Sequence, residues 1–155
     1  MSSPQEGSKA PDFKLPASNG QTIGLKDLKG KNVVVYFYPK DDTPGCTVEA
    51  CGFRDTHKEI EKFNAVVLGV SPDNLKSHDK FIQKFQLPFT LLADEEKKMA
   101  QDYGVWVEKS MYGKKYMGVA RTTFVINKDG KIAKVFEKVT PKDHEQEVID
   151  VLKGL

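Results

Sequence analysis

Cys46 and Cys51 are the chain's two cysteines, and both fall in the stretch YFYPKDDTPGCTVEACGFRD, residues 36–55. Thiols so placed can bind a metal, form a structural bridge, pack in a core, or serve as the two halves of a redox centre. Metal binding fits worst. A structural zinc site takes four ligands, and this pair lacks the usual cysteine spacing, while His57, His78 and His144 complete no ligand pattern. A permanent bridge conflicts with local structure, because five residues along a regular helix separate two Cα atoms by about 8.6 Å. A disulfide needs backbone movement beyond roughly 7 Å. Inert packing stays open, since free cysteine is a common core residue.

The surroundings of Cys46 favour a reactive thiol. Pro44 and Gly45 precede it and place it in the first turn of a helix, where unpaired N–H groups and the dipole stabilise a thiolate. Thr43 adds a hydroxyl that both donates and accepts. A cysteine protease or acyl transferase would need a base beside the thiol, and His57 lies about 16 Å further along the same helix. A thioredoxin-type exchanger would carry CxxC, whereas this spacing is C-x4-C. Oxidation of the thiolate to sulfenic acid, followed by condensation with a second thiol, remains, and Cys51 is the candidate second thiol.

The elements that must position these residues follow from periodicity. FKLP and QTIGLKDL flank SNG as a short N-terminal β-hairpin, and NVVVYFY at 32–38 is a strand covered on both faces. Pro39 stops it, and KDDTPG leads into a helix from about Cys46 to about Phe63, with Phe53, Ile60 and Phe63 on its apolar stripe. AVVLGV at 65–70 is a second core strand. Ser71 as cap and Pro72 at the first position predict a helix with Leu75, His78, Ile82 and Phe85 on one face. FTLLAD at 89–94 reads as a strand whose Asp94 caps EEKKMAQDY, with Gly104 closing that helix. Trp106 to Gly118 has no clean period and reads as loop. RTTFVINKDGKIAKVFE is a hairpin around KDG, and Thr140 and Pro141 open a last helix that buries Val148, Ile149 and Leu152. The order predicts an α/β, thioredoxin-like fold: a central mixed sheet flanked by helices, with the reactive loop at the carboxyl end of a central strand.

The 155 residues fit a single domain over 1–155, large enough to fold without staples. A formal net charge of +2 with interspersed signs argues against nucleic-acid binding, and the basic stretch KSMYGKKYMG at 109–118 reads as solvated surface. No segment has the length or apolarity of a membrane span, and MSSPQEGSKAPDF lacks the pattern of a secretory signal. The expected location is the cytoplasm, with an organelle left open.

PKDDTPGCTVEACGFRD resembles the active-site motif of the peroxiredoxins, thiol-dependent peroxidases, specifically the bacterioferritin comigratory protein or Q-type branch. The likeness extends through APDFKLP, GVSPD, FTLLAD and RTTFVINKDGKI, nearly the whole chain. It implies that Cys46 is the peroxidatic cysteine, that Thr43 and Pro39 shape its pocket, and that Arg121 is the active-site arginine. It further implies that Cys51 is the resolving cysteine, forming an intramolecular redox disulfide with Cys46. Glu49 is expected to support Arg121, Gly52 to ease helix opening, and Trp106 and Met117 to pack or rim the pocket. The implied substrates are hydrogen peroxide and alkyl hydroperoxides. Thioredoxin is the expected reductant, with glutaredoxin or glutathione as alternatives, no cofactor or metal is called for, and a monomer is expected, with a dimer possible.

Overall fold

Every residue of the run at 32–37 is buried, because the strand it forms lies in the middle of the sheet. The structure is a computed structural model that describes residues 3–155; Met1 and Ser2, the start of the polar N-terminal stretch, lie outside the described residues. The strands are β1 (Lys14–Pro16), β2 (Thr22–Gly24), β3 (Asn32–Phe37), β4 (Ala65–Ser71), β5 (Thr90–Ala93), β6 (Trp106–Met111), β7 (Lys114–Val119), β8 (Thr122–Ile126) and β9 (Ile132–Phe136). The helices are α1 (Pro44–Glu61), α2 (Leu75–Phe85), α3 (Lys98–Asp102) and α4 (His144–Lys153). Five strands form the main sheet in the order β5-β4-β3-β8-β9. β3, β4 and β5 run parallel, whereas β8 is antiparallel to β3 and β9 to β8. This is the thioredoxin-like arrangement expected from the sequence, with β1 and β2 as the N-terminal hairpin.

Alternation along β3 divides the core. Val33, Val35 and Phe37 face Leu68, Val70, Met99, Tyr103 and Phe124 on one side. Val34, Tyr36 and Tyr38 face Ala50, Phe53 and Ile60 of α1 and Val148, Ile149 and Leu152 of α4 on the other. Each large side chain so buried contributes about 1.5–3 kcal/mol relative to exposure. Tyr36 stacks on Tyr38 with centroids 5.4 Å apart and tilts against Phe53 at 4.9 Å. Its ring crosses Gly69, its register partner in β4, where a Cβ would stand 2.9 Å from the Tyr36 hydroxyl oxygen and 2.6 Å from Leu91 Cδ2.

Four sequence-based expectations need correction. Residues 106–119 are not loop but the two-stranded hairpin β6–β7. Tyr112 and Gly113 turn it with φ of 53° and 79°, and a turn with both central residues at positive φ matches strand twist. Met117, expected to pack or rim the pocket, is exposed there, while Trp106 packs partly on the core. α2 starts at Leu75 rather than after Ser71: Ser71 remains paired in β4, and the Asn74 side chain accepts the Ser77 N–H. α3 is shorter than expected and begins at Lys98, although Asp94 still accepts the N–H groups of Met99 and Ala100. α4 starts at His144, not at Thr140 and Pro141, because Asp143 takes a left-handed conformation just before it. Among the described residues no helix is long and apolar enough to cross a membrane.

Gly69→Ala tests the packing of the central strands. Overpacking against Tyr36 and Leu91 should cost about 1–3 kcal/mol, seen in urea unfolding as a lower midpoint with an unchanged slope.

Candidate active site

The loop at the carboxyl end of β3 delivers Cys46 to the first turn of α1, where it is buried at 1 % exposure. Pro44 opens the helix in a position that needs no N–H donor. Thr43 occupies the N-cap position in extended conformation, and its carbonyl accepts the Thr47 N–H at 2.8 Å. Its hydroxyl does not cap the helix but donates to the Lys40 carbonyl at 2.9 Å. With that hydrogen committed, the Thr43 oxygen is left free to accept. Pro39 is half-buried, two residues beyond β3.

Arg121 approaches from the residue before β8, the strand beside β3. Its Nη2 donates to Cys46 Sγ at 3.3 Å and its Nη1 to Glu49 Oε1 at 2.8 Å. Glu49 follows Cys46 by three residues and so shares its helix face. Gly45 makes this approach possible, because a Cβ there would stand 3.1 Å from Arg121 Nη2. The guanidinium is thus shared between a thiol and a carboxylate, with 17 % of the arginine side chain exposed and 1 % of the glutamate.

Burial and pairing oppose one another here. Loss of solvent raises the Glu49 carboxyl to about 7 despite the lowering effect of Arg121, and its Oε2 has no hydrogen-bond partner among the described residues. For Arg121 burial also disfavours charge, but Glu49 and Cys46 outweigh it and hold the guanidinium above its ordinary value. The two partners differ because the arginine satisfies two acceptors, whereas the glutamate leaves one buried oxygen orphaned. Near neutral pH Glu49 therefore populates both forms.

Cys51 is half-buried, and both thiols are free. α1 runs unbroken through both positions, so the helical separation stands. Gly52 adjoins α4 closely: a Cβ there would lie 2.6 Å from Glu145 Oε2. Sequence reasoning assigned Gly52 only a low helix propensity and missed this contact, for which a single chain carries no signal. It also missed His144, which is buried between Phe53 and Phe136 at centroid distances of 5.8 and 5.2 Å and bonds the Thr123 hydroxyl through Nε2. Burial, first of several effects, lowers the His144 value.

A further polar cluster also escaped the sequence. Asp41, in the loop before Cys46, meets Ser77 and His78 of α2 and Tyr38 at the end of β3, and its backbone bonds Asp73. Asp41 lies more than thirty positions from Asp73, Ser77 and His78, so the cluster matches no short motif.

A thioredoxin-like sheet that presents a buried, arginine-bonded thiol at a helix N-terminus defines the class of thiol-dependent peroxidases. Residues 7–135 match the AhpC/TSA family, and the chain belongs to it as a peroxiredoxin. Peroxiredoxin Bcp of Bacillus subtilis is 50 % identical over 149 residues, 96 % of this chain and 95 % of that protein. Peroxiredoxin Bcp of Escherichia coli K12 is 46 % identical over 147 residues, covering 95 % and 94 %. Among solved structures, peroxiredoxin Q of Xanthomonas campestris superimposes with a TM-score of 0.90 at 37 % identity, covering 96 % of this chain and 97 % of that one. The bacterioferritin comigratory protein of the same organism, described for alkyl peroxide reduction, gives 0.91 at 36 % identity over 97 % and 98 %.

The orphaned carboxylate predicts a pH-dependent stability. Between the ordinary value of 4.5 and about 7 the folded chain keeps a proton on Glu49 that the unfolded chain has released, so this group's contribution falls as pH rises through that window. Glu49→Gln, neutral throughout, should flatten the fall by on the order of 3 kcal/mol relative to the unaltered protein. Urea unfolding on both sides of the window measures it; parallel pH dependences in the two proteins would refute it.

Proposed function

We propose that Cys46 is the peroxidatic nucleophile of a two-cysteine cycle contained in one chain, with Cys51 as its resolving partner. The observation that carries this is the 3.3 Å bond from Arg121 Nη2 to Cys46 Sγ at a buried helix N-terminus. A permanent positive charge there faces the sulfur and stabilises the negative charge that develops on the peroxide oxygens. The thiolate attacks the terminal oxygen of hydrogen peroxide or an alkyl hydroperoxide. The S–O bond forms as the O–O bond breaks, and the departing oxygen takes a proton from water and leaves as water or alcohol. The sulfenic acid retains the transferred hydroxyl. Thr43, its own hydrogen given to Lys40, accepts a hydrogen bond from the peroxide, and Pro39 walls the pocket.

Resolution joins Cys51 sulfur to Cys46 sulfur and releases the hydroxyl as water. A disulfide cannot span the helical separation of about 8.6 Å, so the first turns of α1 must open. An external dithiol, thioredoxin in this proposal, then reduces the bridge and is itself oxidised; glutaredoxin or glutathione can supply the same electrons. Both thiols lie in one chain, so a monomer suffices, and the cytoplasm supplies the reductants.

Peroxide consumption coupled to thioredoxin, thioredoxin reductase and NADPH tests the cycle. Cys46→Ser should abolish turnover, and Cys51→Ser should leave sulfenic acid formation intact by mass while cutting thioredoxin-linked turnover. Stoichiometric oxidation without recycling would instead indicate a peroxide sensor, and peroxide-independent disulfide reduction a general oxidoreductase.

Gly52 offers a separate test of helix opening. Alanine there strengthens the helix by about 1 kcal/mol but also meets Glu145, so Gly52→Ala is best compared in a Glu145→Ala background. Disulfide formation should slow about five-fold while peroxide attack is unchanged. Equal effects on the two stopped-flow phases would count against opening as the slow step.

A further inference from the structure

The loop between β3 and α1 is anchored by a buried charged pair that the chemistry above does not use. Asp41 accepts the Tyr38 hydroxyl at 2.6 Å on Oδ1, and on Oδ2 it meets the Ser77 hydroxyl and His78 Nδ1, each at 2.8 Å. Its backbone N–H donates to Asp73 Oδ2 at 2.7 Å, and the Ser71 hydroxyl donates to that same oxygen at 2.7 Å. His78 is fully buried, and its Nε2 lies 2.8 Å from the Leu92 carbonyl oxygen of β5. A carbonyl only accepts, so Nε2 carries a hydrogen. The 2.8 Å contact between Nδ1 and Asp41 also needs a proton between its two heavy atoms. The Tyr38 and Ser77 hydroxyls both donate to the Asp41 side chain, whose oxygens therefore act as acceptors. Acceptors flanking both ring nitrogens fit an imidazolium, with the shared proton on His78.

We propose that Asp41 and His78 are positioning residues for the peroxide step: their shared proton holds the loop that carries Pro39 and Thr43 into the Cys46 helix, and its loss in alkaline solution slackens that loop. The proposal rests on the peroxidatic role of Cys46. The groups facing the ring come from every element packed around it: Asp41 and Tyr38 from the end of β3 and its loop, Asp73 from the β4–α2 connection, Leu92 from β5 and Ser77 from α2. Lys76, Lys80, Lys84 and Asp42 line the adjoining groove. Burial works against the charged ring, but the hydrogen bond and charge of Asp41, the Leu92 carbonyl and the charge of Asp73 outweigh it and hold His78 above its ordinary value. Because the folded value is raised, the stabilisation is complete below the ordinary value of 6.5 and is lost as pH rises through the folded one. Deprotonation then leaves a carboxylate oxygen facing a nitrogen lone pair, and moving the remaining proton from Nε2 to Nδ1 only transfers the same conflict to the Leu92 carbonyl.

The ring can be observed directly in the full chain by nitrogen NMR with labelled histidine. Both nitrogens of His78 should be protonated at neutral pH and should titrate above an ordinary histidine. A neutral ring there overturns the proposal. Stopped-flow measurement of Cys46 oxidation by hydrogen peroxide supplies the second readout. The unaltered protein should lose rate on the alkaline side, and Asp41→Asn and His78→Gln should abolish that fall while reacting about ten-fold more slowly at neutral pH, since loss of positioning alone can cost up to about a hundred-fold. An alkaline fall that persists unchanged in His78→Gln overturns the proposal as well. Should either variant fail to fold by circular dichroism, the NMR titration of the unaltered chain decides. Failure of the two readings is distinguishable: an unaltered chain that does not react with peroxide counts against the peroxidase, whereas a neutral His78 in a chain that does react counts against the pair.

Discussion

The guanidinium of Arg121, held between Cys46 and Glu49, is the interaction on which the site depends. Each feature around it serves to bring a permanent charge against a buried thiol. β8 lies beside β3, so the residue that precedes it reaches the loop at the end of the central strand. Gly45 withholds a Cβ where the guanidinium must pass, and the helix repeat sets Glu49 on the face of Cys46. The carboxylate orients the arginine, yet its own burial is poorly compensated, since one oxygen has no partner among the described residues. Near neutral pH the site therefore trades stability for placement. A fully ionised Glu49 would draw more of the arginine's charge away from the sulfur, and one raised to about 7 leaves more of it available.

α1 has to satisfy two incompatible demands. In the proposed cycle attack on peroxide needs Cys46 at an intact N-terminus, whereas bond formation with Cys51 needs that same turn undone. The helix divides accordingly. Phe53 and Ile60 are fully buried and fix its later turns to the sheet and to α4. The earlier turns carry Gly45 and Gly52, which adjoin Pro141, in the segment before α4, and Glu145 of α4. Opening that stops before Phe53 withdraws Cys46 and Ala50 from the core but leaves Phe53 and Ile60 in place, a local transition cheaper than global unfolding.

The sequence disclosed what is local and periodic. The central strand, the α1 stripe, the N-terminal hairpin and the KDG hairpin all show in spacing, as does the special setting of Cys46 behind Pro44 and Gly45. Family resemblance, not spacing, brought Arg121 to the site, seventy-five residues from Cys46. Helix starts depart from expectation where the expected opening residues serve elsewhere, since Ser71 stays paired in β4 and Pro141 lies against Gly45. The β6–β7 hairpin was hidden because its turn uses Tyr112 and Gly113, a pair outside the usual asparagine–glycine signal, and because its strands carry few buried residues.

Asp41 and His78 were illegible for the same reason that Arg121 was, yet they solve a different problem. A loop at a strand end is ordinarily the most mobile part of such a sheet, and mobility is costly where a nucleophile must meet a small substrate in one orientation. Apolar packing cannot fix a segment as polar as PKDDTPG. Directional bonds from distant elements can, and Asp41 receives them from α2 and the end of β3 while its own N–H reaches Asp73. Arg121 and Asp41 thus hold the same loop–helix junction from two elements, one by charge on the reacting atom and one by fixing the backbone that leads to it. In the proposed cycle the first must survive the opening of α1 only as a target to return to, whereas the second lies outside the turns that open.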